Sequence, residues 1–343
     1  MATPYALKLW RAWFATATLF AVLLAGANQA TAGSHSFKLS AGDPKNAPGP
    51  VATRRFAELV DQKSGGKIKI KTYDSAVLGS DVQMQGALRG GIVDFALVGA
   101  PTLVGIVKEF GVLDFPFQYR ESREVDAMLD GAMGRKLLDK LSDKELVGLA
   151  FWEIGFRQVT NSKRPIARWE DMSGLKIRTV QSPVFREFFN SLGANAVPMP
   201  ISEVFSALET KAIDAQENPV SIIAAQRFDE VQKYLSLTGH IYTAYVLIAS
   251  QKSWNQLDAA DQRLIRDAAA EATAFQRKLA REENAASVEQ LKKRGMQVNP
   301  LTPEERARFA EKATPVVTKF TGEIGEAFVG EWMTELGKVR QAR

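Results

Sequence analysis

The chain of 343 residues contains no cysteine and only two histidines, His35 and His240. Without cysteine, disulfide scaffolds, thiolate zinc sites and cysteine nucleophiles are excluded. Because the two histidines stand far apart in the sequence, a multi-histidine metal site or a Ser-His-Asp triad has almost no residues from which to be built. Most familiar hydrolase chemistries are therefore not expected, and neither a resident metal nor a cofactor is predicted.

The chain also has little excess of either charge sign. The 44 lysines and arginines are nearly balanced by 39 aspartates and glutamates, which leaves a formal net charge of +5. Such a mixed surface lacks the basic footprint of a nucleic-acid-binding protein, so no nucleic acid is expected as a partner. A hydrophobic share of 45% is that of a globular protein. The length exceeds that of one ordinary core and predicts two lobes.

Long hydrophobic runs are absent after the first thirty residues. Residues 1–32 read as a signal peptide: Lys8 and Arg11 precede an uncharged apolar run at 14–25, and Ala30-Thr31-Ala32 fits the small-x-small cleavage rule. We expect cleavage after Ala32, with an uncleaved membrane anchor as the alternative. Export of a chain without cysteine indicates the bacterial periplasm.

Strand and helix patterns alternate along the chain. Segments 36–40 and 67–72 are rich in β-formers and flank an amphipathic helix at 51–64. Ser80 and Gln83 form the pattern of a capping box, which predicts a helix that begins there. Ser182 and Pro183 have the pattern of an N-cap and a first helical residue. This alternation predicts an α/β fold with a largely parallel sheet.

Residues 259–293 contain neither proline nor glycine. As a single helix this segment would be about 50 Å long, at ~1.5 Å per residue. That length exceeds what one small domain needs, and it suggests a strut along both lobes. Two helices with a break near residues 281–283 are the alternative.

Two arginines stand at strand-to-loop transitions where the second set of elements begins. Arg178 ends the strand at 175–179, and Arg157 follows the strand at 147–152. Ligands bind at the carboxyl ends of strands in α/β sheets. A guanidinium group there can hold a carboxylate through two parallel hydrogen bonds. These residues are candidates for carboxylate binding, and surface arginines or structural ion pairs are the competing interpretation.

Further polar and aromatic candidates surround these arginines. Asn218 belongs to the polar group Gln216-Glu217-Asn218-Pro219 at a strand end, and Asp81 begins a helix. Trp152 and Tyr242 could line a pocket, although aromatic residues beside strands usually pack in the core.

Several of these segments, in this order, resemble the solute-binding proteins of TRAP (tripartite ATP-independent periplasmic) transporters of the DctP type. The resemblance covers nearly all of the chain after residue 32. The segments that carry it are Leu78-Gly-Ser-Asp81, Gly155-Phe-Arg-Gln-Val-Thr-Asn161, Gly174-Leu-Lys-Ile-Arg178, Ser202-Glu-Val-Phe-Ser-Ala-Leu-Glu-Thr210 and Ile213-Asp-Ala-Gln-Glu-Asn-Pro219.

The resemblance implies a two-lobed periplasmic binding protein fold with the long helix spanning both lobes. Lobe I is expected to hold residues 33–154 and 243–283, and lobe II residues 155–242 and 284–343. The resemblance also implies that Arg178 binds the ligand carboxylate, that Arg157 supports it and that Asn218 orients the ligand.

Other candidate contacts are less tied to one motif. Asp81 matches an acidic contact of sialic-acid-binding members, and Asn46 lies near another ligand-contacting segment. Gly99 and Gln181 depart from the residues that those members carry, which argues against sialic acid. Gln181 remains a candidate hydrogen-bonding residue.

The expected function is therefore capture of a small carboxylate and its delivery to the small and large membrane subunits of a TRAP transporter. The hydrogen-bonding candidates favour a hydroxylated acid, a sugar acid such as a uronate or an aldonate; they are Asn46, Asp81, Glu153, Gln181 and Asn218. An aromatic acid, a 2-oxo acid and a C4-dicarboxylate remain alternatives. A periplasmic sensory module, an ABC-type binding protein and a lyase or transferase with Glu217 or Asp214 as base are the competing functions.

Overall fold

The computed structural model describes residues 34–342, so the predicted signal peptide lies outside the described residues. Among the described helices, none is long and apolar enough to cross a membrane. The helices are α1 (Pro48–Lys63), α2 (Asp81–Gly90), α3 (Ser122–Asp130), α4 (Ala132–Asp139), α5 (Pro183–Ser191), α6 (Ile201–Glu209), α7 (Val220–Ala225), α8 (Gln251–Trp254), α9 (Ala259–Lys293), α10 (Pro303–Ile324) and α11 (Glu326–Gln341). The strands are β1 (His35–Ala41), β2 (Ile68–Tyr73), β3 (Phe95–Gly99), β4 (Leu146–Phe156), β5 (Gln158–Asn161), β6 (Lys176–Thr179), β7 (Asn195–Pro198), β8 (Ala215–Asn218), β9 (Tyr234–Leu237), β10 (Tyr242–Ser250) and β11 (Gln297–Pro300).

The strands form two sheets, and this is the two-lobed α/β architecture that the sequence predicts. The first sheet has the order β2-β1-β3-β10-β4, and the second has the order β11-β9-β5-β8-β6-β7. The division of the chain into the two lobes at the residues given above stays a prediction.

The prediction of a largely parallel arrangement is only partly correct, because both sheets are mixed. The parallel pairs are β1–β3, β6–β7, β6–β8 and β9–β11. Strand β10 runs antiparallel to both β3 and β4, and β5 runs antiparallel to β8 and β9. The chain connectivity explains this result. Strand β4 continues into β5 with only Arg157 between them, and a short loop at 238–241 joins β9 to β10. These strands carry the chain from one sheet to the other and thereby reverse the local strand direction.

The segment 259–293 forms one uninterrupted helix, α9, without a break near residues 281–283. It contacts α1 and β4 beside the first sheet, and α7 and β11 beside the second. Asn284 of this helix contacts the elements of both sheets: its side-chain amide donates to the Ile154 carbonyl in β4 and accepts from the Ser221 amide in α7. The helix therefore braces both sheets, as predicted.

Two predicted helix starts differ in detail. Ser80 and Gln83 form the capping box that the sequence indicates. Ser182 holds the N-cap position of α5 but makes no capping hydrogen bond. Its hydroxyl instead donates to Asp114 Oδ2 at 2.7 Å, so a buried carboxyl group takes the place of the helix amide as its partner.

Burial raises the pKa of Asp114 to about 8, with the nearby charge of Glu217 adding to the rise. A carboxyl group whose folded-state pKa is raised stabilises the fold fully below its ordinary pKa, and that stability is lost as the pH rises through about 8. We expect Asp114→Asn, which cannot ionise, to show a smaller fall in melting temperature than the native protein between mildly acidic and mildly alkaline pH. Parallel thermal melts across this range measure the effect, and identical falls would contradict it.

Candidate functional site

A small cavity of about 60 Å³ lies where the two sheets meet. Its lining combines loop and strand residues from both sides. The first sheet and its connections supply Gly42, Asp43, Ala76, Ser80, Asp81, Gly99, Pro101, Thr102, Ile154, Thr243 and Tyr245, and the second supplies Arg178, Val180, Gln181, Pro200, Ile201, Ser202, Asn218 and Ile222, with Arg157 at the crossover.

Arg178 is the cation that this cavity leaves without a carboxylate. It is the penultimate residue of β6, which lies between β7 and β8 in the sheet, and it is 3% exposed. Its Nε and Nη2 donate to the Met199 carbonyl at 2.9 and 2.7 Å, which fixes the plane of the guanidinium group. Of its five N–H donors, those on Nη1 and one on Nη2 remain for another acceptor.

No carboxylate among residues 34–342 forms an ion pair with Arg178. Burial lowers its pKa to about 10, with the neighbouring cation Arg157 acting in the same direction. It remains protonated at neutral pH. The charges of Glu217, Asp43 and Asp81 act on Arg178 from a distance and oppose the fall in its pKa. A buried cation without a direct ion-pair partner is still costly, and an anion bound to it in the cavity would offset that cost.

Arg157 differs from Arg178 because its charge is already paired. Its Nε and Nη2 donate to the two carboxylate oxygens of Glu217, and Nη2 also donates to Asn218 Oδ1 at 2.9 Å. Both partners of this ion pair are buried, at 3% and 0% side-chain exposure. His240 lies against the Glu217 carboxylate with Nε2 at 3.2 Å from Oε2. Arg157 is therefore a structural cation at the crossover whose edge reaches the cavity.

Two carboxyl groups line the cavity on the side of the first sheet. Asp81, at the start of α2, accepts from the Gly99 amide through Oδ2 at 2.8 Å. Asp43 follows β1 and accepts from the Tyr245 hydroxyl and from Gln226 Nε2. Burial raises the pKa of both carboxyl groups, that of Asp81 to about 7. The cavity is thus polarised, with cations on the side of the second sheet and carboxyl groups on the side of the first.

Five of the predicted ligand-binding residues line this cavity: Arg178, Arg157, Asn218, Asp81 and Gln181. The Asn218 amide is held between Arg157 and Gln216, to whose Oε1 it donates at 2.7 Å. The Gln181 side chain has no hydrogen-bond partner within the described part of the chain.

The other three predicted residues do not reach the cavity. Asn46 lies in an exposed turn before α1. Tyr242 packs in the core against Phe156, with ring centroids 5.3 Å apart. Trp152 is covered by α9, where its Nε1 donates to Thr273 Oγ1 at 3.0 Å.

Asp43, Thr243 and Tyr245 line the cavity although the sequence did not single them out. Strand periodicity groups two of them on one face of β10, although it does not say which face meets the cavity. Thr243 and Tyr245 alternate with Tyr242 along β10, so a cavity on their face leaves Tyr242 on the other face. The Gly42-Asp43-Pro44 turn after β1 was the available signal for Asp43.

The arrangement suits binding of an organic anion. Within residues 34–342, no group of three or more histidine, aspartate or glutamate side chains could hold a metal ion. The second sheet supplies the fixed cation Arg178 to the cavity, and the first sheet supplies hydrogen-bond acceptors.

Comparisons of sequence and structure identify similar proteins. The sequence profile described as bacterial extracellular solute-binding protein, family 7, matches residues 40–323. The sugar acid binding protein DctPAm of Advenella mimigardefordensis, solved with galactonate, is 39% identical with a TM-score of 0.88 and covers 90% of this chain and 99% of its own.

Other similar proteins are named for different ligands or were solved with them. The 2,3-diketo-L-gulonate-binding periplasmic protein YiaO of Escherichia coli is 36% identical over 261 residues, which are 76% of this chain and 79% of YiaO. A TRAP periplasmic solute-binding protein of Sulfurospirillum deleyianum, solved with succinate, is 29% identical with a TM-score of 0.84, and the match covers 88% of this chain and 99% of that one. Similarity thus extends to proteins named for sugar acids and to one solved with a dicarboxylate.

Proposed function

Because the chain belongs to the bacterial extracellular solute-binding proteins of family 7, we propose that it captures a small organic acid through Arg178 and delivers it to a TRAP transporter. This family consists of binding proteins rather than enzymes. The observation that carries the proposal is the buried guanidinium group of Arg178, which lines the cavity and pairs with no carboxylate among the described residues. A ligand carboxylate on its free Nη1 and Nη2 edge would supply that partner through two parallel hydrogen bonds.

The ligand that fits best is a hydroxylated monocarboxylate, a sugar acid such as an aldonate or a uronate. Asp43 and Asp81 offer acceptors for hydroxyl groups, and Thr243 and Ser202 add hydroxyls of their own. An aromatic acid is less suited, because Trp152 and Tyr242 pack in the core and the aromatic residue that does line the cavity, Tyr245, has its hydroxyl on Asp43. The relative from Advenella mimigardefordensis, solved with galactonate, supports the same choice.

Capture and release follow from the position of the cavity. A ligand that contacts Arg178 on one side and Asp43 and Asp81 on the other stabilises the arrangement in which the two sides lie close together. A ligand that touched only one side would leave that equilibrium unchanged. The crossover strands β4–β5 and β9–β10 are the segments about which such a closure would turn.

The closed, loaded form would then dock on the small and large membrane subunits of the transporter, which drive uptake with an ion gradient. We place this step in the periplasm, in accord with the signal peptide expected at residues 1–32 and with the periplasmic relatives.

A thermal-shift screen of organic acids tests this function directly. A ligand that binds only the folded state raises the melting temperature by mass action. We expect sugar acids to give the largest shifts, calorimetry to give micromolar affinity or tighter, and the recovered ligand to be chemically unchanged after long incubation. Conversion of the acid to a product would favour an enzyme instead, and a panel of acids without any shift would contradict capture.

A further inference from the structure

We infer that a groove beside α10 is a second ligand site, which binds a small aromatic carboxylate through Arg306. The groove is lined by the first turns of α10, the loop between β9 and β10, the end of β4 and residues 117–120. It shares no lining residue with the cavity that Arg178 lines, so the inference goes beyond the proposed function and does not depend on it. Its volume of about 660 Å³ is ample for a ring with one carboxylate.

The charged side chains that line this groove are all basic. They are Arg120 and Arg306, and the lining contains no aspartate or glutamate. Within residues 34–342, neither arginine forms a salt bridge: the carboxylate nearest in charge to Arg120 is that of Glu124, which pairs with Arg340 instead. Burial alone lowers the pKa of the half-buried Arg306. The groove therefore has an excess of positive charge that an anion would balance.

Arg306 is held so that one edge of its guanidinium group stays free. Nη1 donates to the Thr238 carbonyl at 3.0 Å, and the group lies over the Phe117 ring, 5.1 Å from its centroid. Gly239 makes room for it, because a Cβ atom there would lie 2.8 Å from Nη1, and its φ of +53° favours glycine. No acceptor among the described residues takes a hydrogen bond from Nε or Nη2. These two nitrogens form an edge that can hold a carboxylate through two parallel hydrogen bonds.

The apolar surface of the groove indicates which carboxylate fits. Phe117 and Phe156 are half-buried and line it together with Ala307 and Ala310 of α10. A ring attached to the carboxylate can pack on this surface, where aromatic pairs are favourable. Inorganic phosphate would supply the charge without such a contact, and a sugar acid would bring hydroxyl groups against apolar side chains. An aromatic carboxylate matches both the cation and the apolar surface.

The test is an NMR titration of the protein with phenylacetate. Phenylacetamide serves as the uncharged ligand of the same shape, and inorganic phosphate serves as an anion without a ring. We expect phenylacetate to bind with a dissociation constant of about 1 mM or tighter, and the other two to bind about tenfold more weakly or worse. Saturation of the cavity with the tightest acid from the thermal-shift screen should leave phenylacetate binding unchanged.

Two substitutions test the role of the groove. Arg306→Gln removes the charge and the free edge, and it should weaken phenylacetate binding by about tenfold or more. Arg164→Gln is the matched control, because Arg164 also donates to backbone carbonyls without a salt bridge in the described part of the chain, and it lies outside the groove lining. Ala307→Glu keeps Arg306 and its contacts but places a negative charge at an exposed lining position, and it should weaken binding similarly. Melting temperatures of the ligand-free variants verify that they fold.

The inference is overturned if phenylacetate does not bind, if phosphate or phenylacetamide binds as tightly, or if the folded Arg306→Gln and Ala307→Glu proteins keep native affinity. Arg178→Lys separates this site from the proposed function, since it should weaken capture of the acid and leave phenylacetate binding unchanged. Loss of phenylacetate binding in Arg178→Lys would place the aromatic acid in the cavity and remove the second site, while capture by Arg178 would stand. Phenylacetate binding that depends on Arg306, in a protein that captures no other acid, would support the second site and contradict the proposed function.

Discussion

Replacing Arg178 with lysine is expected to weaken binding of the acid by about 100-fold or more, which is ~2.7 kcal/mol. Lysine keeps the positive charge, so a purely electrostatic role would survive the change. The ammonium group, however, cannot donate to the Met199 carbonyl from two nitrogens and still present a flat two-donor edge to a carboxylate. Calorimetric titration of both proteins with the same acid measures the difference.

Arg164→Lys is the matched control for this substitution. Arg164 also donates through Nε and Nη2 to backbone carbonyls, those of Asp171 and Ser173, but it is exposed and lies outside the cavity lining. We expect Arg164→Lys to bind the acid with native affinity. If Arg178→Lys folds and also binds with native affinity, then the carboxylate is held elsewhere.

Substitution of Glu217 by glutamine is expected to lower the free energy of unfolding by about 3 kcal/mol. Glu217 is fully buried and balances the charge of Arg157, so its loss leaves a buried cation without its partner. The neutral amide also replaces the carboxylate that lies against His240. Because Arg157 holds the crossover between β4 and β5, the whole junction of the two sheets should be affected. Urea unfolding at neutral pH gives the free energies.

An exposed ion pair provides the comparison for Glu217. Glu187 pairs with Lys319 at 2.9 Å, and both side chains are more than a third exposed. We expect Glu187→Gln to change the free energy of unfolding by less than about 1 kcal/mol, since exposed pairs contribute little. Equal effects of the two substitutions would mean that Glu217 does not compensate a buried charge.

Local sequence rules predicted the elements that depend on local interactions. The helix α9 is found at the predicted residues because a segment without proline or glycine has nothing to interrupt it, and Asp258 caps its start. The capping box at Ser80 and Gln83 was also predictable from the sequence. Strand directions were not, since they depend on where the chain crosses between the sheets, a long-range property that hydrophobic periodicity does not encode.

In the candidate site, too, local features were predictable from the sequence and long-range contacts were not. Arg178 was identified because a strand end and an arginine coincide in the sequence. The choice of Tyr242 rather than Tyr245 shows the limit: both are aromatic residues of β10, and only the tertiary structure decides which strand face meets the cavity. The partner of Arg157 was also hidden, because Glu217 lies far away in sequence and meets it through the pairing of β5 with β8.

A crystal structure of the protein with the tightest acid from the screen tests the central claim most directly. The account predicts both carboxylate oxygens of the ligand at about 2.7–2.9 Å from Nη1 and Nη2 of Arg178, with the remainder of the ligand directed toward the first sheet. A bound acid whose carboxylate lies away from Arg178, with that guanidinium group making only its two bonds to Met199, would contradict it.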